Sequence, residues 1–185
     1  MAHRNVRRVV TGHDSEGRSR VVQDSEVEPI TSALMPGFAV HRLWGRDERP
    51  TFPDDGAPRA ATAYYPPPDG SRFMLNTIPP GEVVPAADLD TTAALAEVER
   101  QMPGAMAAMD PGDPGMHITD SIDYVLIVSG EVTLELDDGE RTVLRAGDVV
   151  VQNGTRHAWR NHGAQVCTIV GVAVGADRIG TSDRP

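Results

Sequence analysis

The sequence is short of several things, and each shortage removes a class of protein. One cysteine, Cys167, stands among 185 residues, so no disulfide closes within the chain and the composition suits a reducing compartment. Basic residues are outnumbered, 17 Lys and Arg against 27 Asp and Glu, for a net charge of -10. A face that tracks phosphates needs the opposite balance, which argues against nucleic acid and against anionic membrane surfaces. No apolar run is long enough to cross a bilayer, and the basic start, MAHRNVRRVV, lacks the apolar core of an export signal. The expected location is the cytoplasm. There is no internal repeat and no low-complexity tract, and a chain of 185 residues accommodates one domain with a sizeable core.

What the sequence does have is concentrated between Met116 and Asn161. In Glu131–Asp137 the apolar Val132, Leu134 and Leu136 alternate with Thr133 and three acids, the period of a strand with one buried face. Asp138-Gly139 follows, a dipeptide whose residues both tolerate positive φ and so suit a tight hairpin. Val143-Leu144, the Ala146-Gly147 turn and Val149–Val151 continue the meander. Short antiparallel strands at this spacing predict an all-β barrel or sandwich. Gly130, Gly139 and Gly147 are expected in its turns.

The rest of the chain reads as additions to that barrel. Val6–Val10 and Arg20–Gln23 flank the polar turn His13–Gly17 and predict an N-terminal hairpin, expected to pair with a sheet edge of its own barrel or of a partner. Gly12–Ser19 (GHDSEGRS) imitates a phosphate loop, but Arg18 stands where Lys is needed and no βαβ pattern surrounds it. His3, His13 and His41 have no partners at ligand spacing. Phe38–Trp44 and Arg72–Ile78 read as strands around a proline-rich loop at 45–70, which Tyr64 and Tyr65 would pin to the body. A helix is expected from Asp88 to about Met102, capped by Asp90 or the following threonines, with Leu95, Val98 and Met102 at helical spacing and Pro103-Gly104 as its stop. Met102, Met106, Met109 and Met116 then form a thioether run that would pack over the barrel, line a substrate entrance or form a subunit contact. Cys167 falls in the apolar strand Val166–Val174 and is expected in the core.

Candidate ligands lie in the same central stretch. His157, Trp159 and Asn161 share strand parity and would face one side. His117 and Asp123 share parity as well, but six strand residues span about 20 Å, so they meet only if the chain bends near Thr119–Ile122. With such a bend, two imidazoles and a carboxylate converge, a set that suits Fe, Mn, Zn or Ni. Each residue also has a plainer reading. Either histidine can be a hydrogen-bonded core residue, and Asp123 can cap backbone groups in a turn. Thr119 can support a ligand by hydrogen bonding or simply suit a strand.

Two pieces of this stretch resemble the paired motifs of the cupin superfamily. His117, Thr119, Asp123 and Gly130 take the places of the first motif, with Thr for its second histidine and Asp for its usual Glu. Gly147, Gln152, Gly154, His157 and Asn161 match the second, with Gln in the proline place and the leading glycine one residue closer. The resemblance covers about a third of the chain. It implies a double-stranded β-helix, or jelly-roll barrel, with an N-terminal β extension and one helix. The expected division is an extension and loop over 1–80, a helix and connector over 81–115, and a barrel core over 116–176. It further implies one divalent metal ion on His117, Asp123 and His157, with Thr119, Trp159 and Asn161 around it, and a homodimer.

Three functions are compatible with these residues. The first is a metal-dependent enzyme acting on a small organic carbonyl or carboxylate metabolite as a lyase, isomerase, decarboxylase, cyclase or oxygenase. The second is a non-catalytic small-molecule-binding module. The third, a metal-free structural barrel, would have no use for the two histidines.

Overall fold

Wherever apolar and polar residues alternate, the chain forms paired strands. The computed structural model describes residues 4–179, which leaves His3 outside the described residues. Its strands are β1 (Val6–His13), β2 (Ser19–Val27), β3 (Ile30–Thr31), β4 (Ala39–Arg46), β5 (Ser71–Ile78), β6 (Ser121–Ser129), β7 (Glu131–Glu135), β8 (Arg141–Arg145), β9 (Val149–Asn153), β10 (Ala158–Arg160) and β11 (Cys167–Gly175). One α-helix, α1 (Thr91–Gln101), lies between β5 and β6. A six-stranded sheet, β3-β4-β5-β11-β6-β9, packs on a three-stranded sheet, β10-β7-β8. All pairings are antiparallel. This is the all-β jelly roll that the resemblance implies.

The main core lies between the two sheets. Val132 and Leu134 of β7 and Leu144 of β8 meet Val125 and Ile127 of β6, Ile169 of β11 and Ile78 of β5. Burying each such side chain contributes about 1.5–3 kcal/mol. Cys167 sits fully inside this core, and burial pushes its thiol up to about 11. The barrel also reaches further upstream than residue 116. β5 pairs with β11 from Ile78↔Cys167 to Ser71↔Val174, so β3, β4 and β5 are strands of the larger sheet.

The expected turns are present. Gly130 has φ +77°, and a Cβ there would stand 2.5 Å from the Val166 carbonyl oxygen, so only glycine fits between β6 and β7. Asp138 (φ 54°) and Gly139 (φ 74°) both adopt left-handed conformations in the turn between β7 and β8. Helix α1 begins three residues after Asp88, because Asp90 is the cap: its carboxylate accepts the Ala93 N–H at 3.0 Å. Ala94 and Val98 form its buried face while Leu95 stays exposed. Val98, Met102 and Ala105 pack with Val40, Met74 and Tyr64 in a second core.

Two devices hold the upstream segments. Arg72 points inward from β5 and is 1% exposed. Its guanidinium reaches Asp47 at 2.5 Å and donates to the carbonyls of Ala63 and Arg46, which fastens both ends of the proline-rich loop. The N-terminal hairpin, β1 with β2, forms a sheet of its own and joins no other sheet among the described residues. It covers the outer side of β4, where Arg8 donates to the Leu43 carbonyl and lies 5.3 Å over the Trp44 ring.

Candidate metal and ligand site

The site begins with a main-chain contact. His117 and His157 exchange both backbone hydrogen bonds, at 2.9 and 3.0 Å, as one isolated antiparallel bridge. A pair joined in this way puts its side chains on the same face. The two ring centroids are 4.2 Å apart, at 49°. The chain then turns at Asp120 before β6 begins at Ser121, which is the bend that His117 and Asp123 require in order to share a site.

Each imidazole is oriented by a carbonyl. Nδ1 of His117 lies 3.1 Å from the Gly115 oxygen, and Nδ1 of His157 lies 2.9 Å from the Thr155 oxygen. A carbonyl only accepts, so Nδ1 of His117 carries the proton and its Nε2 keeps a lone pair, while Nδ1 of His157 sits between the Thr155 carbonyl and the Gln152 amide nitrogen. Burial lowers the His117 pKa against the opposing effect of the Gly115 carbonyl. Burial, reinforced by the charge on His117, lowers that of His157 to about 4. Both rings are therefore neutral near pH 7, the state in which an imidazole ligates.

Asp123 approaches from the neighbouring strand. It is the register partner of Gln152, and the Gln152 amide nitrogen lies 2.9 Å from Nδ1 of His157 and also donates to the Thr155 carbonyl and hydroxyl. Ser121 donates its hydroxyl proton to the Asp123 carboxylate at 2.7 Å, and the Ser121 oxygen lies 3.0 Å from the buried Thr119 hydroxyl. Burial raises the Asp123 pKa and the Ser121 hydrogen bond only partly offsets it. No cation pairs with this carboxylate among the described residues. No group of three or more His, Cys, Asp or Glu side chains is gathered there at metal-holding spacing either. The structure thus brings the two histidines together and does not gather Asp123 with them into a metal-holding group among the described residues.

The remaining candidates take different places. Trp159 meets the edge of His157 at 5.8 Å and packs on the main core. Asn161 is turned to the backbone, donating to the Ile78 and Gln165 carbonyls and accepting from the Gly163 N–H. Tyr65, which motif spacing does not single out, stacks on His117 at 6.4 Å and 22°. Burial holds its phenol well above the ordinary value, and Tyr64 and Asp123 push it the same way. Gln152 was visible only as the residue in the proline place of the second motif.

Room beside the pair is small. The cavity at His117 measures about 20 Å³, enough for a water, and is walled by Met109, Ile118 and Arg156. The methionine run divides around it: Met102 and Met116 are buried, Met109 flanks His117, and Met106 is exposed. A larger cavity of about 190 Å³ lies under the N-terminal hairpin, between His13, Trp44, Arg46 and Phe52.

Comparison with known proteins bears on this geometry. The cupin domain family model matches residues 105–173. Fifty residues are 54% identical to a phomopsin biosynthesis cluster protein of Diaporthe leptostromiformis, covering 27% of this chain and 26% of that protein. Forty-six are 46% identical to a cupin-domain-containing oxidoreductase of Hypocrea virens, covering 25% and 24%. The chain therefore spans about a quarter of the curated relatives it matches. Among solved structures, a predicted oxalate decarboxylase from Thermotoga maritima aligns over 84% of this chain and 99% of its own, at 18% identity and a TM-score of 0.45.

Proposed function

From the cupin domain match at residues 105–173 we propose that this chain is a metal-dependent enzyme acting on a small organic carbonyl or carboxylate metabolite. One observation carries the reading. Two neutral imidazoles stand with ring centroids 4.2 Å apart and with both Nδ1 atoms engaged by the protein, which leaves the Nε2 edges to face a ligand. His117 and His157 would hold one divalent ion, with Asp123 as the third protein ligand, and Fe, Mn, Zn or Ni suits this donor set. A partly buried carboxylate with one hydroxyl partner is costly until a cation stands near it, which fits that role. When bound, such an ion polarises a carbonyl or, if it is iron, gives access to dioxygen chemistry. The oxidoreductase name of the Hypocrea virens relative favours the redox branch.

The chain's own groups would do the rest. Ser121 holds the Asp123 carboxylate in one orientation, and Thr119 supports Ser121. Tyr65 keeps its proton beside His117 and can donate a hydrogen bond to an anionic substrate. Trp159 and Met109 supply apolar walls. A second reading is a non-catalytic small-molecule-binding module.

Metal analysis of the purified protein tests the first reading. One ion per chain is expected, with uptake abolished in His157→Ala and His117→Ala while the far-ultraviolet spectrum stays that of a β-barrel. Equal metal uptake by wild type and both variants would remove the site. A metal-loaded protein that turns over no carbonyl or carboxylate substrate would favour the binding module.

A further inference from the structure

The N-terminal hairpin meets the proline-rich loop along a seam on the outer side of β4. Trp44 lies there as the register partner of the exposed Phe73, across the sheet from the inward Arg72 and Met74. The contact is close. The His13 N–H donates to the Asp54 carbonyl at 2.7 Å, Nδ1 of His13 lies 3.0 Å from the same oxygen, and a Cβ at Gly12 would run into the Asp55 carbonyl. Beside this contact the seam nevertheless holds a cavity of about 190 Å³. Voids much larger than a water are few in a protein, and an apolar one of about 150 Å³ accepts a benzene ring. Three ring systems wall this one: the Trp44 indole, the Phe52 phenyl and the His13 imidazole, the last two edge to face at 6.4 Å and 70°. Phe52 is 78% exposed and stands at the rim.

We propose that this cavity is a second ligand site, separate from the histidine pair, and that it takes a one-ring aromatic carboxylate. The rings set the planar, apolar part of the guest, because aromatic faces and edges pack well on another ring. The polar lining sets the rest. Its two charged side chains, Arg46 and Asp54, pair at 2.9 Å and are 14% and 12% exposed. Asp54 is fully spent. One oxygen takes Arg46, the other takes the Gly56 N–H and Arg59, and these partners hold its carboxyl down to about 2. Arg46 is not spent: among the described residues only its Nη2 has a partner, so Nε and Nη1 remain as donors. Arg8, 5.3 Å from the Trp44 ring, donates only to two neutral oxygens, and its Nε is buried without a partner among the described residues. Two guanidiniums with spare donors, and no spare carboxylate, call for an acceptor that carries negative charge. A cationic or wholly apolar guest would leave those donors unmet. This surplus of donors runs against the sign of a chain that carries -10.

Proton–nitrogen correlation NMR of the full chain tests this, with benzoate as the probe. The amide signals of Gly12, His13 and Gly56 should shift and saturate with a Kd at or below about 1 mM. Benzyl alcohol, the same ring without the charge, should bind about 10-fold more weakly, and benzylammonium should not bind. Phe52→Ala, at the exposed rim where the fold has least to lose, should weaken benzoate about 10-fold. Arg46→Met should bring benzoate down to the level of benzyl alcohol. Arg46→Lys keeps a cation beside Asp54, so the fold is retained even if the methionine variant fails, and loss of the forked donors should again cost benzoate about 10-fold. The shifts should persist in His157→Ala. Their loss in that variant would place benzoate at the histidine pair and overturn the proposal. So would unmoved amides up to about 10 mM benzoate, equal affinity for the three probes, or unchanged binding in Phe52→Ala and Arg46→Lys.

Discussion

Arg72 and Asp123 are two charged side chains turned into the same barrel, on strands that flank β11, and they are treated in opposite ways. Arg72 is surrounded by acceptors: a carboxylate at 2.5 Å and the carbonyls of residues on both ends of the proline-rich loop. Asp123 has one hydroxyl and no cation among the described residues. A satisfied buried charge fastens a structure, because losing its partners leaves costly orphans. An under-satisfied one is a cost retained at a fixed place, and such costs concentrate where a ligand removes them. The difference teaches that burial alone does not mark a functional residue. The state of its partners does.

The largest effect should come from the satisfied group. Arg72→Met leaves Asp47 and the loop carbonyls without donors and should lower stability by roughly 3–5 kcal/mol in denaturant unfolding. A neutral result would erase the contrast.

Next comes acid. His157 has its pKa depressed to about 4, so the folded protein binds fewer protons than the unfolded chain between that value and the ordinary 6.5. Stability of the metal-free protein should be complete above pH 6.5 and fall as pH drops through about 4, by roughly 3 kcal/mol. His117, lowered in the same direction, adds to the loss. In His157→Gln this part of the profile should flatten, as read by melting temperature against pH.

Smaller effects sharpen the Asp123 side. Ser121→Ala removes the one hydrogen bond to the carboxylate and should weaken metal affinity about 10-fold, measured by competition with a chelator. Asp123→Asn should weaken metal binding too, yet without loss of metal-free stability and with a gain of up to about 1 kcal/mol. The sign follows from a pKa raised by burial: the ionised form is disfavoured in the fold, so near pH 7 an uncharged replacement relieves a cost. A loss as large as that of Arg72→Met would place Asp123 among the structural groups.

Much of this was legible in the chain. The run from Val132 to Val151 declares its strands through period two, and its turns through Gly130, Asp138-Gly139 and Gly147. His117 and His157 stand out by motif position, although their direct main-chain contact is a long-range pairing that no local pattern encodes. Three features were not legible. β4 and β5 have strand composition, but nothing local says which sheet they join, since pairing across some 90 residues is decided by the whole core. Arg72 in RFMLNTI shares parity with Met74, and sequence alone does not reveal that Asp47 and two carbonyls wait for it. Tyr65 comes from a proline-rich loop without periodicity, so its stacking on His117 depends on where Arg72 fastens that loop.

The bridge between His117 and His157 bears on what this barrel could become. Since the two residues are joined main chain to main chain, the spacing of their Cβ atoms owes nothing to the rings themselves. A cysteine, glutamate or asparagine installed at either position inherits the same placement and direction. The pair is a socket with exchangeable pins: re-dressing positions 117 and 157 changes the donor atoms presented there while the chain path is kept. New chemistry can then be tried on this scaffold by single substitutions, without the cost of inventing another fold.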